Sequence, residues 1–222
     1  DMFTATVTVK NTGSVSGKSV VQLYVQTPYG DYEKQNAVEK SAVQVIGYGK
    51  TDELKPGQSE QVTVTMDRYM MASYDYTNAK GYILSAGDYY LALGDNAHDA
   101  LNNILAAKGA SGMVDQDGNT VEGNAAKTYH WSYDTLDTES YRYSVTGEEV
   151  TNQFDDCDAN YWQEGSVPYL TRQDWNGTFP TEAPAITCTE EMMQILQGEL
   201  YTKPEDSLSV SDITQGQNNG LT

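Results

Sequence analysis

Apolar and polar positions alternate from the start of the chain: Val7 and Val9 sit between Thr6, Thr8 and Lys10, and Val21, Leu23 and Val25 sit among Val20, Gln22, Tyr24 and Gln26. A period of two puts one set of side chains on a single face, so the stretch Thr6 to Gln26 predicts two strands, each with a core face. Between them, Asn11-Thr12-Gly13 and Ser16-Gly17 tolerate a sharp reversal, and the pair reads as an opening hairpin. The polar stretch Asp31 to Lys40 reads as a long loop, and Ala42 to Tyr48 returns to strand character. The turn Leu54-Lys55-Pro56-Gly57-Gln58 feeds Gln61 to Met66, where Val62, Val64 and Met66 share a face. Further strands are predicted at Tyr69 to Tyr76, Tyr82 to Leu84 and Tyr89 to Gly94, with turns at Asn78 to Gly81 and Ala86-Gly87-Asp88. About seven short strands at regular spacing predict a mainly β fold, a sandwich of the immunoglobulin-like or fibronectin-like type.

The period then changes. Ala97, Ala100, Leu101, Ile104 and Leu105 follow one helical face, with Asn96 placed to cap its start and Gly109 its end. Asp115 to Asn119 forms a turn between Gly112-Met113-Val114 and Thr120-Val121-Glu122, a predicted hairpin. Thr128 to Tyr133 and Ser140 to Val150 are tyrosine-rich and strand-like. Periodicity is then lost until Thr189 to Leu200, where Met192, Met193, Ile195, Leu196 and Leu200 predict a short helix. The expected organisation is a sandwich over residues 1–95, a helix plus hairpin packed on it over 96–150, and a long irregular connector over 151–222.

Charge sharpens this division. The formal net charge is −19, and from Glu148 onward fourteen acidic residues face two basic ones, Arg172 and Lys203, so the last third should be extended and solvated. The same charge argues against nucleic acid or an anionic membrane as partner, because each phosphate contact works against long-range repulsion. No apolar run approaches the ~20 residues of a membrane span. Seventeen tyrosines against three phenylalanines supply rings with a polar tip, usable in a core or against sugars. Cys157 and Cys188 have no neighbouring ligand at metal-site spacing; they are either two unlinked thiols or a bridge adding about 3–4 kcal/mol in an oxidising compartment. Either a cytoplasmic or a secreted bacterial protein fits. The start at Asp1, directly before a strand, reads as that of an excised piece of a larger protein.

Three motifs carry a resemblance: Asn11-Thr-Gly13 through Val20-Val-Gln-Leu-Tyr-Val25, then Leu54-Lys-Pro-Gly57 before Val62-Thr-Val-Thr65, then Ala86-Gly-Asp-Tyr-Tyr-Leu91 ahead of Gly94. In that order they resemble the fibronectin type III-like domain of glycoside hydrolase family 3 enzymes, over about the first 95 residues. The middle loop departs from the family's Arg-Pro-Val-Lys-Glu-Leu-Lys-Gly-Phe type segment and keeps only the apolar rhythm and the Gly47-Tyr48 end. The resemblance implies a non-catalytic accessory domain that stabilises or links the catalytic domains of a parent of the β-glucosidase type. The implied partners are the parent's catalytic barrel and α/β sandwich. More than 120 residues follow the sandwich, which resembles the permuted subgroup with the barrel downstream.

Candidate chemistry is sparse. Gln173-Asp174-Trp175 resembles the family's nucleophile motif, but Tyr169-Leu170-Thr171-Arg172 is too short and polar for the buried strand that should precede it, so Asp174 is read as non-catalytic. Asp115/Asp117/Asn119 and Asp156/Asp158/Asn160 begin like calcium loops, yet neither completes the loop with glycine and glutamate at the required positions. No catalytic, cofactor-binding or metal-binding residue is expected, and no cofactor. His98 and His130 are read as structural or surface residues. Trp131, Trp162 and Trp175 are the candidates for interdomain packing or for contact with an oligosaccharide. Two rival functions follow: a carbohydrate-binding module using these rings, and a calcium-stabilised adhesion or scaffold module.

Overall fold

The computed structural model describes residues 2–173 and 188–198. The chain divides into two compact units, Asp1–Thr178 and Phe179–Thr222.

Seven strands occupy the first part of the first unit: β1 (Met2–Lys10), β2 (Val20–Gln26), β3 (Gln44–Lys50), β4 (Ser59–Asp67), β5 (Ser73–Asp75), β6 (Gly81–Ile83) and β7 (Gly87–Leu93). Three more follow: β8 (Met113–Val114), β9 (Thr120–Val121) and β10 (Thr128–Tyr133). β1 pairs antiparallel with β4 along its whole length, from Met2 opposite Asp67 to Lys10 opposite Ser59. The second principal sheet runs β10-β7-β2-β3. Val62, Val64 and Met66 of β4 pack against Val21, Leu23, Val25, Ile46, Tyr89 and Leu91 of that sheet, which is the sandwich core the alternation predicts.

The opening hairpin is corrected. β1 and β2 belong to different sheets, and the residues between them form an arch rather than a tight turn. The Asn11 side chain donates to Val15 O at 2.9 Å and Leu54 O at 2.8 Å, and Gly17 bridges Leu54, so the arch is tied to the turn before β4. Glycine matters in β3, where it faces β4 side chains of the other sheet. A Cβ on Gly47 would lie 2.7 Å from Val64 Cγ1, and one on Gly49 2.5 Å from Val62 Cγ1.

A third layer covers the outer face of the four-stranded sheet. Helix α2 (Ala97–Ala107), which follows the short α1 (Asp31–Gln35), buries Ala100 and Ile104 against Tyr24 and Ala92. Its ends are as the sequence predicts: the Asn96 side chain accepts the Asp99 N–H at 3.0 Å, and Gly109 takes φ 69° just past the last turn. Two buried asparagines extend its hold. Asn102 accepts the Met113 N–H at 2.7 Å, while Asn103 donates to Leu93 O and accepts the Asn124 N–H, fixing the β8–β9 hairpin and the approach to β10.

Other expectations need correction. The loop 31–40 contains α1, whose Glu33 carboxylate reaches back to the Gly30 N–H at 2.7 Å. Only the second half of Tyr69 to Tyr76 is a strand; Arg68–Met71 is a 3₁₀ turn, capped by the Asp67 carboxylate on the Tyr69 N–H. Ser140 to Val150 is a series of turns with a single bridge, Tyr143 to Glu149, because its polar residues leave no apolar row to bury. Two short helical turns, at Asp155–Cys157 and α3 (Ala159–Trp162), interrupt the connector. In the second unit, α4 (Glu190–Leu196) is capped by Thr189, whose hydroxyl accepts the Met192 N–H at 3.2 Å.

Candidate functional site

Ionisable groups cluster first around α1. Lys40 Nζ donates to Pro28 O at 2.9 Å, to Ser85 Oγ at 2.5 Å and to Glu33 Oε1 at 3.2 Å, with both charged side chains almost fully enclosed. Burial alone would raise the Glu33 carboxyl, but hydrogen bonds from Ser85 and the Gly30 N–H, together with the Lys40 charge, hold it below its ordinary value. Burial lowers Lys40, and Glu33 opposes that shift. Beside this pair, fully buried Asp75 accepts the Tyr32 hydroxyl at 2.7 Å and the N–H groups of Thr77, Asn78 and Ala79. Those bonds outweigh desolvation and keep its carboxyl below the usual range. Each acid is saturated by internal donors and closed to solvent, so the cluster clamps the α1 loop onto the sandwich and offers no reactive group to a substrate.

A second place is open. Tyr74, Tyr76 and Tyr169, with Glu39, Asn152 and Asp155, border a cleft of about 650 Å³ where residues 151–173 cross the α1 loop. Tyr76 meets Tyr169 edge to face at 6.4 Å, and the Tyr169 hydroxyl bonds the Asp158 carboxylate, which is thereby held below its usual range. Glu39 accepts the Thr171 hydroxyl at 2.5 Å and the Arg172 N–H at 3.2 Å, and Arg172 lies over the Tyr29 ring. Half-exposed rings beside amide and carboxylate groups can stack on and hydrogen-bond a polar ring compound. The tyrosines were visible in the sequence only as part of a general excess, because Tyr76 and Tyr169 lie far apart along the chain.

Trp131 and Trp162 stand in different surroundings. Trp131 is half-buried and stacks on Tyr89 at 5.4 Å, on the core side of β10. Trp162 is exposed, donates Nε1–H to Asp156 O at 2.7 Å and packs on Tyr161. Trp175 and Asp174 lie outside the described residues. His98 is exposed; His130 is exposed too, stacks on Tyr90 and contacts the Asp88 carboxylate at 2.8 Å. Asp115 accepts the N–H groups of Asp117 and Asn119, which is turn chemistry, and Asp158 caps α3 through the Asn160 N–H. Among the described residues no group of three or more His, Cys, Asp or Glu side chains is placed to hold a metal ion. Cys157 and Cys188 are free thiols.

Residues 19–97, from the entry of β2 to the start of α2, match the family model for a fibronectin type III-like domain. β-Glucosidase A of Butyrivibrio fibrisolvens is 38% identical over 102 residues, which is 45% of this chain and 12% of that protein. The β-glucosidase of Ruminococcus albus is 32% identical over 120 residues, 52% of this chain and 12% of its own length. Among solved structures, a β-glucosidase from Paenibacillus barengoltzii aligns with 61% of this chain at 30% identity and a TM-score of 0.42, covering 12% of its own chain. Residues 19–97 therefore resemble a fibronectin type III-like domain, and the relatives found are β-glucosidases. The chain spans about 12% of the length of the curated relatives it matches.

Proposed function

We propose that this chain is a non-catalytic accessory domain of a larger glycoside hydrolase that cleaves β-linked glucosides or related oligosaccharides, and that it stabilises or links the catalytic domains. The observation that carries the reading is the 38% identity to a β-glucosidase over 102 residues, 12% of that enzyme. The closed ionic cluster supports it, since the most deeply buried carboxylates serve the fold. On this reading residues 1–95 together with β10 form the sandwich, the helix and hairpin between them brace it, and 151–222 lead to the catalytic barrel, with the α/β sandwich domain as the other partner. The test compares hydrolysis of aryl β-glucosides by this chain and by the longer polypeptide. Product is expected from the latter alone, and turnover by the 222-residue chain would refute the assignment.

A second reading, contact with an oligosaccharide, is favoured by the tyrosine-lined cleft at Tyr76 and Tyr169. Retarded migration of this chain in gels containing soluble β-glucan, lost on Tyr169→Ala, would support it; equal mobility in all glucans would eliminate it.

A further inference from the structure

Among the described residues the ion pairs use Lys40, Arg68, Lys127, His130 and Arg142. Lys108 and Arg172 take part in none of them, although the chain carries 32 acidic residues against 13 Lys and Arg. Both border one pocket of about 440 Å³, walled by the turns at residues 26–30 and 86–88, a size suited to a small molecule. Lys108 caps the C-terminus of α2; its ammonium lies 4.5 Å from the centre of the Tyr90 ring and donates to Gln26 Oε1. Arg172 arrives from the segment 151–173, with its guanidinium 4.5 Å from the centre of the Tyr29 ring and one N–H donated to Lys40 O. Glu39 meets Arg172 at the backbone N–H, not at the guanidinium, and also accepts the Thr171 and Tyr29 hydroxyls. An ammonium has three N–H donors and a guanidinium five; each spends one here, so most are left for a ligand. Burial is the main cause holding Lys108 below its ordinary value; Asp88 opposes that shift and the Arg172 charge adds to it, as expected of two cations sharing one pocket.

We propose that this pocket binds a small oxyanion, a carboxylate or phosphate group held between Lys108 and Arg172, and that the bound anion pins residues 151–173 to the sandwich. The planar guanidinium fork matches either group, and the ammonium supplies a second charge from another element. An anion between them offsets their mutual repulsion. It also joins a cation of the segment 151–173 to one at the end of α2, two parts of the chain otherwise linked here by contacts to neutral groups. A neutral sugar ring fits poorly, because Tyr90 is covered by Lys108 and by His130, stacked at 4.6 Å, and one face of Tyr29 is covered by Arg172. Asp88 also lines the pocket, where it contacts His130 at 2.8 Å, and its charge works against the anion. The site lies in this chain alone and stands independently of the glycosidase reading.

The test titrates the full chain with sodium phosphate, sodium glucuronate and glucose, each against sodium chloride at equal ionic strength, and follows backbone amides by NMR. Phosphate and glucuronate should shift the Gly30, Gly87 and Lys108 amides saturably, and should slow exchange of the Arg172 N–H by about threefold or more. Glucose and chloride should do neither. Arg172→Gln should weaken binding by about tenfold and Lys108→Gln by about fivefold, both at positions open enough to solvent to leave the fold intact. Arg172→Lys, which keeps the charge without the fork, should lose less, and Asp88→Asn should bind about threefold more tightly. Tighter glucuronate would identify a sugar acid as the source of the anion, tighter phosphate a free phosphate or its ester. No saturable shift with either anion, or equal shifts with chloride, overturns the proposal. So does an equal response to glucose and glucuronate, which would make the pocket a site for the sugar ring, and so does binding undiminished in both glutamine variants. Saturable binding with unchanged Arg172 exchange would overturn the pinning of 151–173.

Discussion

At the residue scale the Glu33–Lys40 pair is the most exacting feature, because both charges are enclosed and each is the other's counter-ion. Removing one leaves the other uncompensated in a poor dielectric, a larger loss than the pair's net contribution. Glu33→Ala should therefore destabilise the chain by about 3 kcal/mol in urea titration, and Glu33→Leu with Lys40→Met should recover part of it. The pair also sets a pH dependence. Glu33 and Asp75 both have folded-state values below their ordinary ones, so their contribution is complete above the unfolded carboxylate range of about 4 and is lost as pH falls through the lower folded values. The unfolding midpoint should hold steady from neutrality to about pH 5 and drop below pH 4, with a shallower drop in Asp75→Asn. An acid limb unchanged in that variant would remove Asp75 from the account.

At the element scale, close approach of backbones decides which glycines are replaceable. A Cβ on Gly94 would sit 2.6 Å from the Ala100 N and 2.8 Å from its Cβ, at the first turn of α2, where nothing can rotate aside. At Gly49 the obstacle is the end of the Val62 side chain, and at Gly17 nothing lies within 4 Å. Substitution by alanine should thus cost about 3 kcal/mol or more at Gly94, about 1–2 at Gly49 and almost nothing at Gly17, ranked by thermal unfolding. An unaffected Gly94→Ala would show that α2 does not rest on the sheet as described. The same elements show what the sequence could reveal. Period-two rows at Val21-Leu23-Val25 and Val62-Val64-Met66 named the core face of each strand, and Asn96 and Gly109 marked both ends of α2. Periodicity reports a face but no partner, so β1 and β2 read as a hairpin although they lie in opposite sheets. α1 spans five residues, too few to display a helical stripe, and the Glu33–Lys40–Ser85 contacts join positions that only the fold brings together. The tyrosine cleft was hidden for that same reason.

For the whole molecule, the distribution of burial predicts what can be removed. The core clusters draw on β1 to β4, β7, β10, α2 and Tyr141, all before Val150. None of the described residues from Thr151 to Gln173 is buried; they adhere through Glu39 to Thr171, through Arg172 NH1 to Lys40 O at 2.9 Å, and through Arg172 over Tyr29. Exposed polar contacts of this kind contribute about 1 kcal/mol or less each. Deleting 151–222 also takes away twelve acidic and two basic side chains beyond Val150 and so relieves self-repulsion, an effect that salt screens. The truncated chain should unfold in one cooperative transition. At low ionic strength its stability should nearly equal that of the full chain, and in 0.5 M salt, where repulsion is screened in both, it should fall about 1–2 kcal/mol below it. Calorimetry at the two salt concentrations distinguishes the outcomes: loss of a cooperative transition on truncation would make residues 151–222 part of the folding unit.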